Sequence, residues 1–243
     1  MPRFTAHLPR RLFVILMLVG SALITAYSLP YFDFRELPPF AVERLPERFP
    51  GVWLASLRVH VAAALVSLPL CVLLTTRALQ RKIEWHRWLG RLSGVVVLFA
   101  LVPSGAILSL HAKGGPVVTM GFLLSAALTA WFLVRGVVAA RRRDLVSHRR
   151  AMHHVVAQIS VAVTSRAMLF AADAYGLDPD VSYVVALWIP VLASAAVAEL
   201  TSRRRALLPF APAFEERIRR ALSPLGLRLR DRALARSVAR HGR

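Results

Sequence analysis

The chain has 243 residues, 56% of them hydrophobic, and a formal net charge of +19, with 30 of its 32 cations arginine. The apolar residues fall in long blocks, which read as membrane spans and not as the core of a soluble domain. The cations gather at the ends of those blocks, which speaks against nucleic acid, and the single Cys71 excludes an internal disulfide, a cysteine metal site or an iron–sulfur cluster.

The first predicted span covers 12–29, after Arg10 and Arg11. It is long for a signal sequence and lacks a small-x-small cleavage site, so it reads as a retained helix. A segment over 30–53 follows, with Pro30, Pro38, Pro39, Pro46 and Pro50. That spacing forbids a continuous helix. Its aromatic residues suit a membrane interface, as a rigid spacer or as a lid over a site on that face.

Further spans are predicted over 54–76, 92–110, 117–140, 151–172 and 182–200. The segments 1–11, 77–91, 141–150 and 201–243 hold 3, 5, 5 and 12 basic residues, whereas 30–53, 111–116 and 173–181 hold 3, 1 and 0. The alternation makes six a consistent count and predicts both termini in the cytoplasm. The expected fold is an all-α polytopic membrane helical bundle, with six transmembrane helices and a four-helix core from the second to the fifth. The expected organisation is a first helix over 1–29, the proline-rich loop 30–53, the bundle 54–200 and a basic tail 201–243. From Phe214 to Arg240 the tail reads either as an amphipathic helix on an anionic cytoplasmic leaflet or as a disordered basic segment.

Ionisable residues inside a span are costly, which makes them the candidates for function. His60 lies one to two turns inside the second span. It suits either a hydrogen bond to a neighbouring helix or an axial haem ligand. His111 ends the third span on the same side, at a depth about 9 Å different by helical rise. At the other side His86 opens the third span and His148 the fifth, where the alternative is a basic headgroup loop. His154 shares a helical face with Gln158 and Ser165, and the polar fifth span should face the bundle interior. Arg166 sits in the outer half of that span. Its counter-charge would come from an acid such as Asp173, a phospholipid, backbone carbonyls or an anionic ligand such as a haem propionate, unless the side chain snorkels to headgroups. The small residues Gly121, Ser125 and Thr129, and Ala62–Ala64 with Ser67, allow close helix packing, and Ser104-Gly105 is expected to break the third span.

On these residues the sequence resembles the bacterial membrane proteins catalogued as domain of unknown function 2306. The resemblance runs from about Leu57 to Phe170. It rests on His60, on His86-Arg87 with Leu89-Gly90-Arg91, on Gly114-Gly115, on Asp144 with His148-Arg149-Arg150 and Met152, and on Arg166. Ala151 departs from the aromatic residue usual there. It implies a bacterial inner-membrane protein of unestablished activity. In outline the chain is also similar to four-helix b-type cytochromes, although its fourth span carries no histidine; that likeness is one of fold alone.

Two classes of function follow. One is a haem b or quinone-linked electron-transfer protein, with His60, His86, His111, His148 and His154 as candidate ligands and Arg166 beside the cofactor. The other is a non-redox scaffold, sensory subunit or small transporter, with the histidines as interhelical hydrogen-bond groups. The lipid bilayer is the expected partner in both.

Overall fold

The computed structural model describes residues 8–33, 35–36, 41–42, 45–46 and 48–207. Six helices are long and apolar enough to cross a membrane. They are α1 (Leu8–Ser28), α2 (Pro50–Leu74), α3 (Ile83–Ser109), α4 (Gly115–Arg141), α5 (Leu145–Ala174) and α6 (Pro179–Leu207). The chain divides into two compact units at residue 199/200. Of the second unit only the end of α6 is described, so the expected tail helix over 214–240 lies outside the described residues.

The membrane-spanning helices bury little of their surface within the chain. Less than a third of the most apolar stretch of each is buried, apart from α2 at 33%. Lipid covers the rest, so apolar residues are required on every side and amphipathicity is a poor guide to which face packs.

The core sits among α2–α5. Leu68 and Cys71 of α2 pack with Val97 of α3, Leu133 of α4, and Val155 and Ile159 of α5. Ile24 of α1 packs against this cluster from outside. Where α1 meets α5, Gly20 lies against Val163 so closely that a Cβ there would overlap the valine. A second cluster joins α6 to α4 and α5 through Val118, Val161, Leu187 and Val191. The small-residue stripe on α4 is used as expected. Gly121 admits Leu187 and Trp188 of α6, and Ser125 donates to Gln158 of α5.

The α4–α5 connection is the tightest. Arg143 takes a left-handed conformation (φ 63°), its N–H reaches Ala140 O, and the Asp144 N–H reaches Ala139 O. That pair of bonds closes α4 in a Schellman motif, with arginine where glycine is usual. Asp144 then caps α5 by accepting from the Ser147 N–H at 3.0 Å. Two consecutive caps in three residues set α4 and α5 antiparallel. At the far end of α5 the same motif has Gly176 in the left-handed position.

Several features differ from expectation. The third helix begins at Ile83 and the fifth at Leu145, so His86 and His148 lie within helices and not ahead of them. Charged residues extend the helices past the hydrocarbon, where hydropathy no longer marks them. Ser104-Gly105 does not break α3. The irregularity is a π turn over Val97–Leu101, immediately before Pro103. Proline has no N–H to give the preceding turn, and the wider turn accommodates it.

The described part of the proline-rich loop is packed. Leu29–Phe32 forms a 3-10 turn, whose Tyr31 carbonyl and the following Asp33 carbonyl accept from Arg58 of α2, both at 3.3 Å. Ala41 is fully buried with Trp53 and Leu57, against Tyr31 and Leu108. The loop therefore sits on the ends of α2 and α3.

Candidate functional site

The polar side chains collect at the two ends of the bundle, with one network between them. The end that carries residues 75–82 and 142–144 is the arginine-rich end. The other carries residues 29–33, 41–42, 48–49, 110–114 and 175–178.

At the arginine-rich end, His86 stands in the first turn of α3, and its buried Nδ1 has no hydrogen-bond partner among the described residues. His148, in the first turn of α5, lies within its electrostatic reach. The His148 Nδ1 lies 2.8 Å from the Gly136 carbonyl of α4. A carbonyl only accepts, so Nδ1 carries the proton and Nε2 keeps its lone pair in the neutral ring. Gly136 makes this approach possible, since Met152 and Ala151 of α5 occupy the space a side chain there would need.

His154 behaves differently. It is buried, its ring stacks on Phe132 at 3.9 Å, and its Nε2 meets Glu199 of α6 at 3.2 Å. The other Glu199 oxygen takes a 2.5 Å bond from Arg150. Glu199 thus joins two basic residues of α5 to α6. The cluster ties helices together through Nε2 of His154, whose buried Nδ1 has no hydrogen-bond partner among the described residues.

Midway, Gln158 is buried and satisfied on both sides. Its side-chain oxygen accepts from Ser125 of α4 at 3.0 Å, and its amide donates to the Val191 carbonyl (3.2 Å) and Ser194 (3.1 Å) of α6. The shared face of His154 and Gln158 is borne out, because both face α6.

At the opposite end His60 leaves α2 toward α3. Its Nδ1 lies 3.1 Å from the Leu101 carbonyl, at the end of the π turn, and 3.3 Å from Ser104 Oγ. The carbonyl again fixes the proton on Nδ1. Gly105 provides the seat for the ring: a Cβ there would stand 2.9 Å from the His60 Cε1.

His60 and His111 are not brought together. His60 meets α3 at Leu101, ten residues before His111, which is about 15 Å along a helix. His111 is exposed in the turn beyond α3. A pair that far apart does not share one iron.

Arg166 gives one Nη1 hydrogen bond to the Ala162 carbonyl, a turn back along its own helix, at 3.0 Å. Ala162 is nearer the bilayer centre, so the side chain does not snorkel toward the nearer headgroups. Helical side chains lean toward the N-terminus, which for α5 is the arginine-rich end. No carboxylate among the described residues lies within ion-pair distance of Arg166, Asp173 included. Its electrostatic neighbours are Tyr27 and Tyr31, at the end of α1 and just beyond, Tyr183 of α6, and His60.

The tyrosines around Arg166 were not foreseen as its neighbours. The signal was present in part, because Tyr27 and Tyr31 are spaced by four at the end of the first span. Nothing in the sequence says that this span packs on the fifth. The bridge from Glu199 of α6 to Arg150 and His154 of α5 was likewise not foreseen.

Among the described residues no group of three or more His, Cys, Asp or Glu is gathered to hold a metal ion. A haem asks for only one or two axial ligands, so the relevant comparison is pairwise. Of the candidate histidines, His86 and His148 are the two that lie within electrostatic reach of one another.

No curated protein and no solved structure matches the chain. One family model does, over residues 57–202, described as predicted membrane protein (DUF2306). That stretch includes most of α2, all of α3–α5 and most of α6, together with every candidate residue described above, while Tyr27 and Tyr31 precede it. The chain therefore belongs to the DUF2306 family of predicted membrane proteins, and it is a multi-pass protein of the lipid bilayer.

Proposed function

We propose that this protein is a membrane electron-transfer protein that holds one haem b between His86 and His148. The observation that carries the reading is the pair itself. The Gly136 carbonyl orients the His148 ring and leaves its Nε2 lone pair free, as a backbone carbonyl does for many metal-ligating histidines. His86 brings a second imidazole with a buried nitrogen that nothing among the described residues satisfies. A buried polar atom without a partner calls for an explanation, and a bound group is one. The residues present thus fit the axial ligation of a b-type haem.

When bound, the haem supplies reversible one-electron chemistry. The chain's own contribution is positional. Gly136 fixes the tautomer and direction of His148, the consecutive caps at Arg143 and Asp144 hold the start of α5 against α4, and the apolar cluster among α2–α5 excludes water from the bundle. Arg87 and Arg149, beside the two histidines in sequence, supply positive charge for propionates at that face. By the distribution of basic residues, that face is cytoplasmic in a bacterial inner membrane, with both termini on the same side and the arginine-rich tail on the anionic leaflet.

The test is the spectrum of the purified protein from haem-replete membranes. The proposal expects Soret and α bands that His148→Ala and His86→Ala each abolish or shift. A colourless protein at full occupancy of the membrane overturns it.

A second reading has its own support. His154 is engaged with Glu199, and His60 with Leu101, as interhelical hydrogen-bond groups in a non-redox membrane scaffold would be. Under that reading His86 and His148 variants change stability and leave no spectral trace.

A further inference from the structure

No acid among the described residues stands within ion-pair distance of Arg166. Arg58, eight residues into α2, instead donates to two loop carbonyls. Arg135 lies over the Trp131 ring at 5.6 Å. Arg166 lies eight residues from the end of α5, about 12 Å in by helical rise. One of its donors is spent on Ala162, and that bond holds the guanidinium toward the bilayer centre. Tyr27, Tyr31, Tyr183 and His60 are its electrostatic neighbours, and no acid among the described residues is within ion-pair range.

An arginine at that depth is expensive unless something negative joins it. The haem proposed at His148 does not supply it, since His148 and Arg166 are eighteen residues apart on one helix, about 27 Å. A second haem between His60 and His111 does not either, because those histidines are far apart along α3. What remains around Arg166 is a set of donors. The guanidinium forks toward oxyanions, and phenol hydroxyls of Tyr27, Tyr31 and Tyr183 stand in its neighbourhood. The side chain is exposed with respect to the protein, so a ligand reaches it without unfolding the bundle.

We propose that Arg166, with Tyr27, Tyr31, Tyr183 and His60 around it, is a binding site for the oxyanion of an amphiphilic ligand, a carboxylate or phosphate carried on an apolar body. The apolar body lies among the lipid-facing side chains of α1, α5 and α6, and the oxyanion meets the guanidinium. Two of the tyrosines come from outside the family-matched region. Helix α1 is held on α5 by the close approach of Gly20 to Val163, and Arg58 fixes the backbone of Tyr31. The added N-terminal helix therefore completes a site that the family bundle begins.

The test uses the full chain in a neutral detergent, with phosphatidylglycerol, inorganic phosphate and acetate as probes and chloride at matched ionic strength as the control. Thermal midpoints are read for the wild type, Arg166→Gln, Arg166→Lys and Tyr183→Phe. The arginine-rich end also attracts phosphatidylglycerol, so the quantity that counts is the shift that disappears with Arg166. A saturating ligand is expected to raise the wild-type midpoint by about 5–10 °C more than that of Arg166→Gln. Arg166→Lys retains part of the shift, and Tyr183→Phe, a milder change that keeps the fold, reduces it. An Arg166-dependent shift with phosphatidylglycerol alone identifies a lipid headgroup. An Arg166-dependent shift with phosphate or acetate as large as that with phosphatidylglycerol shows that the apolar body adds nothing and overturns the amphiphilic ligand. Equal shifts in wild type, Arg166→Gln and Tyr183→Phe for all three probes overturn the proposal. The haem reading is untouched by either result, because no probe or readout here involves colour.

Discussion

Two glycines on α3 make opposite demands, and substituting each by alanine tests the seat of His60. A Cβ on Gly105 would stand 2.9 Å from His60 Cε1 and 3.2 Å from Nδ1. A Cβ on Gly94 would meet only Leu133 Cδ1, at 4.0 Å. Both substitutions gain the same helix propensity, up to about 1 kcal/mol. Only Gly105→Ala also forces the imidazole away from the Leu101 carbonyl, and overpacking of this kind costs about 1–3 kcal/mol. Gly94→Ala is therefore expected to be neutral or stabilising, and Gly105→Ala less stable than Gly94→Ala by about 1–3 kcal/mol. Unfolding in mixed micelles by SDS titration, followed by helical circular dichroism, measures the difference. Combining Gly105→Ala with His60→Ala removes the clash, so the double variant should recover the overpacking cost. Equal stability of the two alanine variants, or no recovery in the double variant, refutes the placement of His60 against α3.

Gln158→Leu keeps the volume and removes three interhelical hydrogen bonds; at about 0.6 kcal/mol each in a membrane, it should cost about 2 kcal/mol in the same titration, against about 0.6 kcal/mol for Ser125→Ala. Arg143→Gly relieves a left-handed arginine and should stabilise the protein by about 1–2 kcal/mol, whereas Gly176→Ala at the equivalent position should destabilise it. Hydrogen bonds from the Ser147 hydroxyl and N–H hold the Asp144 carboxyl below the ordinary carboxylate range. Its capping contribution is therefore complete at neutral pH and lost as pH falls below about 3.9. Asp144→Ala should be less stable than wild type at pH 7, and the gap should close in acid thermal melts.

The spans were legible because a bilayer imposes a length and a composition on each helix, and six blocks met both. Their packing was legible in part. The stripe of Gly121, Ser125 and Thr129 marked the α4 face used by α5 and α6, since close approach needs small side chains. The ends were less readable, because His86 and His148 sit in helical turns that lie beyond the hydrocarbon and carry no hydropathy signal. The break expected at Ser104-Gly105 is absent, and a π turn lies over Val97–Leu101 instead, because the sequence does not state which carbonyls adjust to Pro103. The clustering of His86 with His148 was anticipated from helix order alone. The separation of His60 from His111 turned on a register between α2 and α3 that no spacing within one span encodes. Arg166 stood out by charge, whereas its tyrosine neighbours depend on α1 packing against α5, a tertiary fact.

The central claim is one haem held by His86 and His148, and the ratio of haem b to protein tests it most directly. Pyridine haemochrome and amino-acid analysis on the same purified sample give that ratio. The account predicts one haem per chain in the wild type, one in His60→Ala, and none in the His86→Ala/His148→Ala double variant. A ratio of zero in the wild type, or an unchanged ratio in the double variant, contradicts it.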